Sequence, residues 1–234
     1  MRVLAVEHQS DAGLGVFAEA LAAGGHDLTA WEPALGSPAP DGDHDAFIVL
    51  GGAVNVEEQD EHPWISREVQ TIAGWIEGGY PVLGLCLGSQ LVAAASGGSV
   101  RRASEPEIGW FGVDVNEQGA ADPLLGPLAP SFEAFQWHSF ECLPPPGAVE
   151  LATSAVCTQA FRIGERAWGL QFHPEVSRAD ALHWIDDYRS DPDAIRIGID
   201  PVALRAETEP KLEAWNELGR EICRRFVELA ATPA

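Results

Sequence analysis

Basic residues are scarce in this chain: 14 Lys and Arg stand against 36 Asp and Glu over 234 residues, a formal net charge of -22. A surface that acidic repels phosphate backbones, so neither nucleic acid nor an anionic membrane is expected as a partner. Long apolar runs are missing too. No stretch approaches the roughly 20 residues of a membrane-spanning helix, and the apolar segment at the N-terminus is too short for a signal peptide, which points to a cytoplasmic protein. Cysteine is sparse and scattered: Cys86, Cys142, Cys157 and Cys223 form no C-x-x-C pair. That spacing suggests neither a disulfide framework nor a zinc site, and no metal or other cofactor is expected. No phosphate-cradling glycine-rich motif occurs, so ATP chemistry is not expected on this chain. Internal repeats and low-complexity segments are also lacking. What remains, 46% hydrophobic and 21% charged residues, is the composition of a globular domain of generous size.

The most informative stretch is Gly84-Leu85-Cys86-Leu87-Gly88-Ser89-Gln90. The apolar run from Tyr80 to Leu85 reads as a buried strand, and Leu87 to Ala95 carries good helix formers, so Cys86 falls at a strand-to-helix turn. A G-x-Cys-x-G pattern in that context has a mechanical reason. Glycines on both sides permit a sharp, strained turn that presents the side chain at the end of a sheet. The following helix turns its positive end and free N–H groups toward the sulfur, which favours the thiolate and leaves a backbone donor for an oxyanion.

Around this turn the first half of the chain alternates strands and helices. Strands are predicted over Arg2–Glu7, His26–Trp31 and Ala46–Leu50, with helices over Gly13–Ala23 and Pro63–Glu77 and a loop over Glu32–Asp45. Uniformly apolar strands alternating with helices imply a mostly parallel central sheet covered on both faces, with sites at the carboxyl ends of the strands. Past Ala95 come shorter stretches with strand character, at 98–103, 108–115, 131–137, 149–153, 157–163 and 167–172, which read as hairpins added to the sheet. Pro144-Pro145-Pro146 marks a rigid surface turn. A helix capped by Ser177 is expected to Tyr188, and another from about Glu209 to Ala230 with an apolar stripe through Leu212, Trp215, Leu218, Ile222, Phe226 and Leu229. The domain is drawn at 1–190, with 191–234 as a C-terminal helical extension packed on it.

A thiolate nucleophile needs a base, and the base needs an orienter. Gln171-Phe172-His173-Pro174-Glu175 offers both at the end of a predicted strand. In extended chain, residues two apart share a face, and Pro174 keeps His173 extended, so Glu175 can hold the imidazole. His8, His26, His44, His62 and His183 carry no partner pattern.

Taken together, Gly51-Gly52, the Cys86 heptapeptide, Glu107-Ile108-Gly109-Trp110, Gln136-Trp137-His138 and the His173 segment resemble, in order and spacing, the class I (triad-type) glutamine amidotransferases. Within that family the chain is similar to standalone members that look like the glutaminase domain of GMP synthetase. An α/β-hydrolase would place its acid before its histidine, whereas His173 precedes Glu175. The resemblance implies a flavodoxin-like α/β fold with Cys86 as the nucleophile toward the side-chain amide of glutamine, His173 as base and Glu175 as its orienter. It implies an oxyanion hole at the N–H groups of Gly52 and Leu87, and substrate contacts from Gln90, Trp137, His138, Ser139 and Phe140. Ala53 and Ser89 stand where many relatives have Pro and His, and Trp137 and Ser139 depart from the usual pocket residues. Three readings stay open: a glutaminase supplying ammonia to a synthetase partner, a γ-glutamyl peptide or amide hydrolase with the same triad, and a catalytically silent ligand-binding protein.

Overall fold

The apolar runs of the N-terminal half, joined by a distant one at Ala167–Leu170, become the parallel part of a nine-stranded sheet in the order β2-β1-β3-β4-β9-β8-β7-β5-β6. In this computed structural model residues 1–40 and 43–232 are described. β1 (Arg2–Val6), β2 (Asp27–Trp31), β3 (Ala46–Val49), β4 (Val82–Leu85) and β9 (Ala167–Leu170) pair in parallel. β5 (Ser99–Val115), β6 (Ser131–Leu143), β7 (Val149–Thr153) and β8 (Thr158–Ile163) continue the sheet in antiparallel fashion.

Alternation along the central strands sorts side chains to two faces. Val3, Ala5, Ala46, Ile48, Leu83 and Leu85 enter one cluster, with Phe17 and Leu21 of α1 (Gly15–Ala23) and Trp215, Ile222 and Phe226 of the C-terminal helix. Leu4, Val6, Phe47, Val49 and Val82 enter the other, with Ile65 and Ile72 of α2 (Trp64–Glu77) and Leu91 and Val92 of α3 (Leu87–Ala95). Both faces are covered, which is why these strands are apolar throughout. The remaining helices are α4 (Glu117–Ala121), α5 (Arg178–Asp186), α6 (Pro192–Arg196), α7 (Pro201–Thr208) and α8 (Leu212–Ala231). None of the helices in the described residues is long and apolar enough to cross a membrane.

Several boundaries differ from expectation. The predicted strands at 98–103 and 108–115 are one strand, β5, whose pairing with β6 slips between Arg102 and Glu107. Pro106 lies in that interval and has no N–H for the ladder, so the pairing breaks while the chain runs on. β6 likewise extends to Leu143 rather than ending at Trp137. Within the loop expected over Glu32–Asp45 a single 3-10 turn forms at Pro33–Leu35, and residues 41–42 lie outside the described residues. α6 and α7 lie outside the predicted elements, although each carries a start signal. Asp191 and Asp200 cap their first N–H groups, and Pro192 and Pro201 occupy the first turn. Ser177 caps α5 as predicted, in a reciprocal box with Asp180.

Candidate active site

Neighbouring parallel strands bring the sequence motifs to one edge of the sheet. β3 leads through Leu50 into Gly51-Gly52, β4 into Cys86 and β9 into the His173 segment, so three elements distant in sequence meet side by side. Cys86 is buried, at 6% exposure, and is the one non-glycine among the described residues with positive φ, at φ 51° and ψ −110°. Such a conformation costs about 1–3 kcal/mol and persists only where its surroundings impose it. The Cys86 N–H donates to Leu170 O at 2.8 Å and the Ser89 hydroxyl to Cys86 O at 2.7 Å, which hold the turn from both sides.

The two flanking glycines serve differently from what the motif suggests. Neither has a positive φ; the strain falls on Cys86 itself. A Cβ on Gly88 would lie 1.9 Å from Val49 O, and one on Gly84 would lie 2.4 Å from Gly88 O. Glycine is required because β3, β4 and the first turn of α3 touch backbone to backbone.

His173 Nδ1 lies 2.7 Å from Glu175 Oε1, and both side chains are 3% exposed. The segment that carries them is not extended as predicted: β9 stops at Leu170 and the chain bends. Tertiary contacts set its shape instead. Trp215 Nε1 donates to His173 O at 3.0 Å, Val16 N–H to Glu175 O at 2.8 Å, and Asn216 Nδ2 to Val176 O at 2.7 Å. Trp184 of α5 meets the His173 ring edge-on at 4.9 Å. Burial by itself would lower the His173 pKa. The Glu175 charge, the Cys86 sulfur and hydrogen bonds to both outweigh it and push the value up to about 10, so the ring keeps its proton beside the sulfur.

Gly52 and Leu87 adjoin the same cleft. Leu87 begins α3, so its N–H has no intrahelical acceptor, and none is found for the Gly52 N–H among the described residues. The cleft has a volume of about 460 Å³. Trp137 O comes within 3.8 Å of Cys86 Sγ, which brings β6, last in the strand order, to the end of β4. Gln90, Trp137, His138, Ser139 and Phe140 all border the cleft. Several are already engaged: Gln90 Nε2 donates to Phe140 O at 3.2 Å, His138 Nδ1 lies 3.0 Å from the same oxygen, and Trp137 Nε1 donates to Asp191 Oδ2 at 2.9 Å. Behind them Glu107 Oε2 sits 3.1 Å from His138 Nε2 and accepts from Gln159 Nε2 at 2.7 Å. Cys157 lies in that cluster with its thiol pKa pushed up by burial and by the Glu107 charge, so it donates to the carboxylate as a neutral thiol.

Residues 26–186, most of the chain, match the family Glutamine amidotransferase class-I. The chain belongs to the class-I glutamine amidotransferase family. It is a cysteine-dependent amidotransferase, an enzyme that hydrolyses glutamine and supplies the ammonia to an acceptor. The amidotransferase is 29% identical over 141 residues to a glutamine-hydrolyzing GMP synthase subunit of Sulfurisphaera tokodaii, covering 59% of this chain and 71% of that one. It is 31% identical over 147 residues to the protein of the same name from Ignicoccus hospitalis, covering 61% of this chain and 73% of that one. The crystal structure of a glutamine amidotransferase from Thermotoga maritima superposes with a TM-score of 0.87 at 29% identity, over 97% of this chain and 98% of that one.

Two groups of site residues escape sequence reasoning. Arg102, Trp184, Asp187, Asp191 and Asp193 border the amidotransferase's cleft from segments with no motif. His8, which has no partner pattern in the sequence, bonds the backbone of Gly51 and the carboxylate of Glu68. Its only sequence signal is position: it follows closely on the carboxyl end of β1, where sites gather in parallel sheets.

Proposed function

We propose that Cys86, His173 and Glu175 perform the glutamine hydrolysis of this chain. The observation that carries the reading is a cysteine at a strained strand-to-helix turn sharing one cleft with His173, whose ring is held by buried Glu175 at 2.7 Å. Cys86 Sγ attacks the side-chain amide carbon, forming the S–C bond, and the carbonyl oxygen takes up the negative charge. The N–H groups of Leu87 and Gly52 donate to that oxyanion. His173 gives its proton to the amide nitrogen, the C–N bond breaks, and ammonia leaves a γ-glutamyl thioester. Water then attacks the thioester with His173 as base, releasing glutamate and restoring the thiolate. Glu175 keeps the ring oriented and balances its charge.

Gln90 and the stretch Trp137–Phe140, with His138 and Ser139, hold the amino-acid end of the substrate; their position on the cleft supports this. Residues 1–190 form the amidotransferase domain and 191–234 a C-terminal helical extension, of which 233–234 lie outside the described residues. Support for the extension's role comes from Trp215 and Asn216, which hold the His173 segment. The ammonia passes to a separate synthetase chain, a reading supported by the names of the relatives, which are those of subunits of a GMP synthase. A second reading, hydrolysis of γ-glutamyl amides, needs only the same triad, since the thioester chemistry is the same whichever amine leaves.

Ammonia release from glutamine, and cleavage of a panel of γ-glutamyl dipeptides, tests both with Cys86→Ala as blank. Turnover lost in Cys86→Ala with the thermal unfolding unchanged is the expected result, and the preferred leaving group chooses between glutamine and dipeptides. Near-wild-type turnover in Cys86→Ala overturns the nucleophile assignment.

A further inference from the structure

His8 and Glu68 form a buried pair that the hydrolysis scheme does not use. His8 Nε2 lies 2.9 Å from Glu68 Oε1, with side-chain exposures of 1% and 0%. On its other side His8 Nδ1 lies 3.0 Å from Gly51 O. A carbonyl only accepts, and so does an ionised carboxylate, so His8 serves both neighbours as the doubly protonated ring, with Nδ1 the donor to Gly51 O. Trp64 stacks on the ring at 5.7 Å and 24°, fixing its plane. The second oxygen of Glu68 finds no partner among the described residues. Burial pulls the His8 pKa down, but the Glu68 charge, its hydrogen bond and the Gly51 carbonyl outweigh it and raise it overall.

Such a pair is a poor device for stability, since apolar residues of the same volume would serve as well or better. Its position has a more specific consequence. Gly51 C=O and Gly52 N–H belong to one planar trans peptide, so they point in opposite directions. A hydrogen bond that anchors the carbonyl on the His8 side therefore aims the N–H away from His8. Gly52 packs closely against His8 and Leu87: a Cβ there would meet His8 Cβ at 2.8 Å and Leu87 Cδ2 at 2.9 Å. Gln9, next in sequence, accepts from the Ala53 N–H at 2.7 Å and pins the following peptide.

We propose that His8, held by Glu68, is a positioning residue that orients the Gly51–Gly52 peptide so that the Gly52 N–H faces the oxyanion formed on Cys86. The inference rests on the oxyanion role given to Gly52 above. It assigns no contact between His8 and substrate; His8 acts through the peptide.

The test compares His8→Asn, His8→Gln and His8→Ala. The Asn amide nitrogen falls where Nδ1 stands and can still donate to Gly51 O; the Gln amide nitrogen reaches toward the Nε2 position and cannot. The measured step is single-turnover acylation of Cys86 by γ-glutamyl p-nitroanilide, which needs no ammonia acceptor. Alkylation of Cys86 by iodoacetamide is measured in parallel because it reports the thiolate and needs no oxyanion donor. Loss of one oxyanion donor costs about 100-fold, so acylation falls by about that factor in His8→Ala and His8→Gln and stays close to wild type in His8→Asn, with alkylation unchanged in all three. The Gly52 amide resonance in ¹⁵N-labelled protein reports the peptide without substrate, and shifts in the Ala and Gln variants only. Equal acylation in the Asn and Gln variants, a wild-type rate in His8→Ala, or a parallel fall in alkylation overturns the proposal. Wild-type protein that is alkylated at Cys86 but never acylated, while its Gly52 resonance still follows the donor at position 8, would overturn the oxyanion role on which the inference rests and leave only the orientation of the Gly51–Gly52 peptide by His8.

Discussion

Gly219, in the N-terminal half of α8, offers a direct measure of how tightly the catalytic segment is held by a helix outside the sequence motifs. A Cβ placed there would stand 1.9 Å from Pro174 O and 3.0 Å from both the Pro174 carbonyl carbon and Val16 Cγ2. Ordinary contact begins near 3.4 Å, so in Gly219→Ala either the Pro174 peptide or α8 must retreat by about 1.5 Å. Pro174 lies between His173 and Glu175, and Trp215 and Asn216 of the same helix hold that segment, so the displacement reaches the base and its orienter. A misplacement of about 1 Å costs about 100-fold in rate. The stability effect is smaller, because overpacking costs about 1–3 kcal/mol while Ala in place of Gly gains about 1 kcal/mol of helix propensity. At about 2–4 °C per kcal/mol for a chain of this size, Tm falls by less than about 8 °C. The control is Gly74→Ala in α2, where an added Cβ meets nothing within 4 Å and the same propensity gain raises Tm slightly with no change in rate. Steady-state kcat/KM and thermal melts of the three proteins decide the matter. A Gly219→Ala enzyme with the kcat/KM of Gly74→Ala would refute the claim that α8 sets the geometry of the His173 segment.

Glu175→Gln lowers kcat less than His173→Ala, since it removes the charge behind the ring while an amide oxygen can still accept from Nδ1; the reverse ordering, read from kcat at one pH, would contradict that division of roles. The same Gln substitution removes the largest of the contributions that raise the His173 pKa, so the alkaline limb of the pH profile of kcat/KM shifts to lower pH, and an unmoved limb would assign it to another group. His173 binds its proton more tightly folded than unfolded, so the stability this contributes is complete below about pH 6.5 and is lost as pH rises toward about 10. Tm of the wild type should decline over that interval more steeply than Tm of His173→Ala, and parallel curves would count against a retained proton.

Local chemistry in the sequence decided the mostly parallel core, the turn at Cys86 and the order of cysteine, histidine and carboxylate. Apolar runs four to six residues long, flanked by glycine, leave few alternatives to buried strands, and a cysteine between near-neighbour glycines at a strand-to-helix junction has few purposes. The start signals of α6 and α7 are present as Asp191-Pro192 and Asp200-Pro201, but each element is short and its apolar periodicity correspondingly faint. Other features have no local signal. Gly84 and Gly88 are required by backbone contacts with neighbouring elements rather than by their own dihedrals, and Gly219 by the carbonyl of Pro174, far earlier in the chain. The bent shape of the His173 segment comes from α1 and α8, and the approach of Trp137 to Cys86 joins β6 to the turn after β4 across 51 residues. His8 finds Glu68 across 60 residues because β1 and β3 are neighbours and α2 packs on one face of both. Periodicity and turn chemistry report what a residue does to its own segment, whereas which buried polar groups face each other is decided only when the segments pack.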